Sequence, residues 1–300
     1  MEAFLKAPSH IRNHRLTIAG HATPHSAWSS DMHHPLIFLD LDGTLVGPSG
    51  DVAPEVWVGL EAAAARGQRL SVCTGRPSGG VASRVAARLD PDAPHVFYGG
   101  ALVERAGSIL HVDPVPEHDA RALLDIARPL DPTHVALEIY TPDRVLLATS
   151  SLHSLRHVAG IGVDVHVVGP DELDAVLRST PIVKLQWVTP DGDLASDLAR
   201  RAPSSCFSAS AGSPAFPDLH FVTVTARGVD KGSAVARAAA ALGFDLADCA
   251  AVGDSHNDLP MLAAVGHPFV MGNAEPELLS LYPRLPGVTE HGVLAALDAS

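Results

Sequence analysis

Short apolar runs that end in polar segments are the feature of this sequence that most constrains its fold. The run 36–39 ends at Asp40, the run 70–73 ends at Thr74, and apolar residues at helical spacing fill 54–67 between them. Runs this short and this apolar are typical of strands that are buried on both faces. Strands that alternate with helices form parallel sheets with right-handed crossovers. The sequence therefore predicts an α/β fold with a Rossmann-like parallel-sheet core domain.

The regular alternation of strand and helix continues to about residue 103 and returns from His220. Between these points, two neighbouring strands are expected at 134–140 and 144–149, with helices before and after them. Adjacent strands that are followed by helices indicate an α+β unit. We therefore expect a core domain over two separated ranges and an inserted α+β cap domain between them. The predicted core covers 35–103 and 208–300, and the predicted cap covers 104–207.

Residues 1–34 differ from the rest of the chain. They hold six of the 17 histidines and show no helical or strand period. A segment of this kind favours a disordered extension. Met32 lies just before the first strand, so either Met1 or Met32 could be the natural start.

Charge and cysteine content exclude several classes of protein. The 21 Lys and Arg against 34 Asp and Glu give a net charge of −13, which argues against a nucleic-acid partner and against binding to anionic membranes. No stretch approaches the roughly 18 consecutive apolar residues of a membrane span. The three cysteines are few and far apart, which indicates a reducing, cytoplasmic compartment. Oligomeric state stays open.

Polar side chains gather where the predicted strands end, the edge at which open parallel sheets bind ligands. Carboxylates that lie together repel unless a cation sits between them. Among these acidic residues the only nitrogen or sulfur ligand is His256, so a hard, oxygen-binding ion such as Mg2+ fits best. A lysine, a hydroxyl and glycine amides beside such an ion suit a phosphate group. The residues concerned are Asp40, Asp42, Thr74, Gly75, Lys231, Asp254, Asn257 and Asp258.

Four short motifs carry a resemblance to a known family. DLDGT at 40–44, CTGR at 73–76, DKG at 230–232 and GDSHND at 253–258 resemble, in this order, the motifs of the haloacid dehalogenase superfamily of phosphatases. MGNA at 271–274 looks like the Cof-type branch, which has a large α/β cap between the second and third motifs. The resemblance covers roughly 35–300. It implies Mg2+-dependent hydrolysis of a small phosphorylated metabolite, a sugar phosphate or a related compound, through an aspartyl-phosphate.

The resemblance also implies a role for each motif residue. Asp40 would be the nucleophile and Asp42 the general acid and base. Thr74, Gly75, Lys231 and Asn257 would bind phosphate. The magnesium site would be formed by Asp40, Asp254, Asp258 and the backbone carbonyl of Asp42. Asp258 could also orient Lys231. The chain departs from the family at Gly99-Gly100-Ala101, where Asn-Gly-Ala is common, so a substrate contact from that asparagine is absent.

Two other functions stay open at this stage. One is a phosphotransferase or phosphomutase of the same fold, which would hold a second phosphate in its cap. Residues 113–205 contain eight Lys and Arg against fourteen Asp and Glu, which favours hydrolysis. The other is a catalytically silent module that binds a phosphate ligand, although no motif residue is missing. Lys184, in a predicted cap strand, is about equally consistent with a surface charge and with a substrate contact.

Overall fold

The computed structural model describes residues 34–148, 151–213 and 216–298. The first part of the core contains β1 Leu36–Leu39, α1 Pro54–Ala65, β2 Arg69–Val72, α2 Gly80–Leu89, β3 His95–Phe97, β4 Leu102–Arg105 and β5 Ser108–Val112. The middle of the chain contains α3 Glu117–Ala127, β6 Ala136–Tyr140, β7 Val145–Leu147, α4 Leu152–Ile161, β8 Val165–Val167, α5 Pro170–Ser179, β9 Lys184–Thr189, α6 Gly192–Arg201, β10 Cys206–Ser213 and β11 Phe216–Ala226. The last part contains α7 Lys231–Leu242, β12 Ala250–Gly253, α8 Leu259–Ala264, β13 His267–Val270, α9 Pro276–Leu281 and α10 Val293–Asp298.

The core sheet is parallel and has the order β13-β12-β1-β2. β3 extends it through a parallel bridge between Cys73 and Val96. All four residues of β1 are fully buried, as expected for a central strand between two helical layers. Ile37 and Leu39 pack in one layer with α1 and α2, whereas Leu36 and Phe38 pack in the other with α7 and α8. The predicted α/β fold with a parallel core is confirmed.

The cap is built on a six-stranded sheet with the order β10-β11-β9-β6-β7-β8. The helices α3, α5 and α6 cover one face of it, where Leu137, Ile139, Leu185 and Trp187 form an apolar core with them. The opposite face carries Glu138, Tyr140, Lys184 and Gln186 and is partly covered by α4, whose His157 contacts Glu138. The cap sheet therefore has one apolar face and one polar face.

The strand pairing differs from the predicted domain boundaries at both ends of the insert. β4 and β5 form a hairpin that pairs with β3, so the core continues past residue 104. β10 and β11 pair antiparallel with each other and β11 pairs with β9, so the cap sheet extends past residue 207 to Ala226. Val222 and Val224 of β11 belong to the same apolar core of the cap as Leu185 and Trp187 of β9. β11 is therefore a strand of the cap sheet and not a central strand of the parallel core.

The extension predicted over 1–34 lies outside the described residues except for His34. This residue is buried, and its backbone carbonyl accepts a hydrogen bond from Gln68 Nε2 (3.4 Å). In the part of the chain that the structure describes, no helix is both long enough and apolar enough to cross a membrane.

Candidate active site

The loop that follows β1 brings its two aspartates to the end of the core sheet. Leu41 O accepts from Val46 N (2.7 Å), which closes a tight turn around Gly43. Gly43 has a φ of +82°, and a Cβ at this position would lie 2.0 Å from Asp254 Oδ2. Only glycine combines this backbone conformation with so close an approach, so the local sequence directly determines the packing of the site.

Lys231 links two carboxylates from different parts of the chain. It is the first residue of α7 and is buried, and its Nζ donates to Asp40 Oδ1 (2.6 Å) and to Asp258 Oδ1 (2.5 Å). Both carboxylates are buried as well. The ammonium group has three N–H donors, so one remains for another acceptor.

Asp258 is fixed by the loop that carries Asp254. Its Oδ2 accepts from the backbone N–H groups of Asp254 (2.9 Å) and Ser255 (3.0 Å), at the start of a single helical turn over His256–Asp258. A Cβ on Gly253 would lie 2.5 Å from the Asp258 carboxylate carbon, so glycine is needed here too. These contacts set the distance between Asp258 and Asp254.

The three carboxylates exceed the positive charge beside them. Burial and the neighbouring Asp258 carboxylate raise the pKa of Asp40 well above its usual range, and Lys231 acts against them. Burial and Asp258 raise the pKa of Asp254 to about 7. Burial lowers the pKa of Lys231, but Asp40 and Asp258 outweigh burial and raise it well above its usual value. One ammonium against three carboxylates leaves a buried excess of negative charge, which a divalent cation would balance.

The donor set fits such a cation. One carboxylate oxygen from each of Asp40, Asp254 and Asp258 lies within 4.8 Å of the others. Asp254 Oδ1 is buried and has no hydrogen-bond partner in the described residues, a costly state that a metal ion would relieve. An all-oxygen, carboxylate-rich set is suited to Mg2+.

The Asp42 side chain lies apart from this cluster. Its Oδ2 accepts from Arg76 Nε (2.8 Å) and its Oδ1 accepts from Arg76 Nη2 (2.6 Å). The three-carboxylate group does not include it. The structure therefore separates the two aspartates of the first motif, with Asp40 among the carboxylates and Asp42 in a bidentate pair with an arginine from the second motif.

The predicted phosphate-binding residues lie in three different settings. Thr74 is buried, and its Oγ1 accepts from Arg76 N (3.1 Å), which leaves its O–H free to donate. Gly75 is exposed, with open space where a side chain would be. Asn257 is exposed as well, and its Oδ1 accepts from Ser255 Oγ (3.1 Å). Among these predicted residues, Lys231 contacts the carboxylate cluster directly and Asn257 is not hydrogen bonded to it.

Two further residues support the site. Arg76, the last residue of the second motif, binds Asp42. Asn273 Nδ2 donates to Gly43 O (2.9 Å) and to Asp254 Oδ2 (3.3 Å), and its Oδ1 accepts from Val288 N (2.8 Å). Asn273 lies within the MGNA motif, and its place in that motif is the sequence feature that could have indicated a role in the site.

Comparisons with known proteins show which family this chain resembles. The pattern that defines the haloacid dehalogenase-like hydrolases matches residues 37–297. The HMP-PP phosphatase of Serratia proteamaculans (strain 568) is 31% identical over 265 residues, which are 83% of this chain and 88% of that protein. A solved haloacid dehalogenase-like hydrolase from Bacteroides thetaiotaomicron has a TM-score of 0.76 at 21% identity and covers 88% of this chain and 98% of its own. A solved HAD subclass IIB sugar phosphatase has a TM-score of 0.70 at 19% identity and covers 88% of this chain and 97% of its own.

The chain belongs to the haloacid dehalogenase-like hydrolase family, and it is an enzyme of the phosphatase class. The predicted resemblance to phosphatases of this superfamily with a large α/β cap is confirmed.

Proposed function

We propose that this enzyme hydrolyses phosphate monoesters of small metabolites, sugar phosphates or related compounds, with Mg2+ and through an aspartyl-phosphate. The observation that carries the proposal is the cluster of buried Asp40 and Asp258 with half-buried Asp254 around Lys231, in which Asp254 Oδ1 has no partner among the described residues. A site with this excess of buried negative charge is suited to a divalent cation and the phosphate that accompanies it.

In the first half of the reaction, Asp40 attacks phosphorus and the bond from phosphorus to the leaving oxygen breaks. Asp42 gives a proton to that oxygen, so the leaving group departs as an alcohol. The remaining N–H of Lys231 and the O–H of Thr74 would donate to phosphoryl oxygens, and the exposed Gly75 lets the backbone approach the substrate. Asp40, Asp254, Asp258 and the Asp42 carbonyl would hold Mg2+, which supplies charge neutralisation at the phosphoryl oxygens.

In the second half, water attacks the phosphorus of the aspartyl-phosphate. Asp42 takes a proton from that water, the acyl-phosphate bond breaks, and Asp40 is regenerated as a carboxylate. The exposed side chain of Asp42 can serve both steps because its position between Arg76 and open space allows a leaving oxygen or a water to approach.

We propose a reducing, cytoplasmic setting, which the cysteines support. Cys73, Cys206 and Cys249 are all unpaired and buried, which is consistent with a reducing cytoplasm. The partner that we propose is a small phosphorylated metabolite rather than nucleic acid or a membrane, in keeping with the net charge of −13.

The test is release of inorganic phosphate across a panel of sugar phosphates, other alkyl phosphates and p-nitrophenyl phosphate, with and without Mg2+. Asp40→Asn serves as the matched inactive control. We expect phosphate release that requires Mg2+ and is absent in the variant. Release that persists with a chelator present, or in Asp40→Asn, would overturn the proposal.

A further inference from the structure

The polar face of the cap sheet holds a group of buried charged and polar side chains. Glu138 is fully buried, and Lys184 and Gln186 are 7% and 5% exposed. Tyr140 and His157 complete the group, which we call the cap network. Buried ionisable groups are costly to retain unless they are paired or have a function.

Glu138 is well satisfied inside the cap network. Its Oε2 accepts from the Tyr140 hydroxyl (2.5 Å) and from Gln186 Nε2 (3.2 Å), and His157 Nδ1 lies 2.9 Å from its Oε1. These contacts come from two strands and from α4. The carboxylate therefore does not depend on Lys184 for its hydrogen bonds.

Lys184 is not satisfied to the same extent. Over the described ranges, its Nζ has one hydrogen-bond acceptor, Gln186 Oε1 at 3.0 Å, and it lies 4.0 Å from the centre of the Tyr140 ring. The Gln186 oxygen also accepts from Thr223 Oγ1 (3.2 Å), so it is shared. An ammonium group has three N–H donors, so Lys184 has spare donors in a desolvated setting. Burial lowers the pKa of this lysine to about 8.

A short series of contacts connects Lys184 to the catalytic loops. Tyr98 N donates to Arg76 O (3.0 Å), which places Tyr98 beside the second motif. The Tyr98 and Tyr140 rings meet edge to face with centroids 6.1 Å apart, and Tyr140 in turn contacts Lys184. The Tyr98 hydroxyl also donates to Thr141 O (3.0 Å), which ties the cap to the core at this point. The polar face of the cap sheet is therefore the face that joins the core beside Arg76.

We propose that Lys184 is a specificity-determining residue that binds a carboxylate on the leaving group of the substrate. This inference rests on the proposed phosphatase function. A buried cation with spare donors favours an anionic oxygen over a hydroxyl, because a charge-assisted hydrogen bond is stronger than a neutral one. A single ammonium in a cap with an excess of acidic residues suits one carboxylate better than a second, doubly charged phosphate.

The test compares esters that differ in one carboxylate. The pairs are 3-phosphoglycerate with glycerol 3-phosphate, and 6-phosphogluconate with glucitol 6-phosphate. Lys184→Met removes the charge and keeps the length of the side chain. Arg128→Met is the matched control, because Arg128 is also a cap cation but its side chain is 79% exposed and lies outside the cap network. Thermal melting of both variants checks that they are folded.

We expect the wild type to prefer the carboxylate ester in at least one pair. Lys184→Met should lower kcat/KM for that ester by about 10- to 100-fold, mainly through a higher KM. For the ester without a carboxylate, kcat/KM should change by less than about threefold. Arg128→Met should leave kcat/KM for both members of each pair nearly unchanged. Hydrolysis of p-nitrophenyl phosphate should be nearly equal in the wild type and both variants.

Three outcomes would overturn the inference. The wild type could hydrolyse both members of each pair equally. Lys184→Met could lower kcat/KM equally for both members, or Arg128→Met could cause the same selective loss as Lys184→Met. Failure of the proposed function gives a different result, since the wild type would then release no phosphate from any ester, including p-nitrophenyl phosphate, in the presence of Mg2+.

Discussion

Arg76 binds both carboxylate oxygens of Asp42, with Nε donating to Oδ2 at 2.8 Å and Nη2 donating to Oδ1 at 2.6 Å. A bidentate arginine fixes the orientation of a carboxylate as well as its position. The pair therefore keeps the Asp42 side chain away from Asp40, although only one residue separates them in the chain. The two aspartates of the first motif therefore lie in different surroundings, with Asp40 beside Lys231 and Asp42 beside Arg76.

Replacing Arg76 tests whether this orientation matters. Arg76→Ala should lower kcat for an alkyl phosphate by about tenfold or more, because the acid is no longer held in position. Arg76→Lys should recover part of the loss, since lysine can make only one of the two hydrogen bonds. Steady-state kinetics would measure both, with the exposed Arg88→Ala as control. Equal kcat values for wild type and Arg76→Ala would show that Arg76 has no positioning role.

Asp42→Asn tests the proton-transfer step. It should slow hydrolysis of an alkyl phosphate by about 10²- to 10⁴-fold, the usual cost of losing a general acid or base. The loss should be smaller for p-nitrophenyl phosphate, whose phenolate needs little protonation to leave. The measurement is kcat for both esters. If the two esters lose activity equally, Asp42 does not protonate the leaving group.

Gly43 and Gly50 have the same φ but differ in the space around them, so their substitution distinguishes backbone strain from an effect on the site. Gly43 and Gly50 both have a φ of +82°, but a Cβ on Gly50 would meet no heavy atom within 4 Å, whereas one on Gly43 would collide with Asp254. Gly50→Ala should cost only the roughly 1–2 kcal/mol of a left-handed alanine. Gly43→Ala should in addition displace Asp254 and weaken Mg2+ binding. Thermal melting with and without Mg2+ would show this, and an equal Mg2+ response in both variants would contradict it.

Lys184 gives a prediction for the pH dependence of stability. Burial lowers its pKa in the folded protein to about 8 from 10.5. Between these two values the unfolded chain binds the proton more strongly than the folded chain, so the free energy of unfolding rises with pH. Relative to Lys184→Met, the wild type should gain about 2 kcal/mol between pH 7.5 and pH 10. Urea unfolding at several pH values would measure the difference, and parallel pH curves for the two proteins would count against it.

The sequence predicted the parts of this molecule that depend on local pattern. The strand Leu36–Leu39 is apolar throughout because it is buried on both faces, and such a run is recognisable without knowledge of its neighbours. The motif residues Asp40, Lys231 and Asp254 lie at strand ends or at a helix start, where the topology of a parallel sheet brings them together.

What the sequence did not predict depends on contacts between distant residues. The Arg76–Asp42 pair joins residues 34 positions apart, and the bond from Asn273 to Gly43 spans 230 positions. β11 is apolar in sequence like the core strands, and only its pairing with β9 and β10 shows that it joins the cap sheet. The cap network also depends on contacts between distant residues, because Glu138 lies on β6 and His157 lies on α4.

In the proposed mechanism Asp40 becomes covalently phosphorylated. The most direct measurement is rapid quench in acid after mixing the enzyme with radiolabelled substrate and Mg2+, in the wild type, Asp42→Asn and Asp40→Asn. We predict acid-stable label on the wild-type protein, label on Asp42→Asn when an aryl phosphate is the substrate, and none on Asp40→Asn, whose amide cannot form the acyl phosphate. Label on Asp40→Asn equal to that of the wild type would show that Asp40 is not the nucleophile.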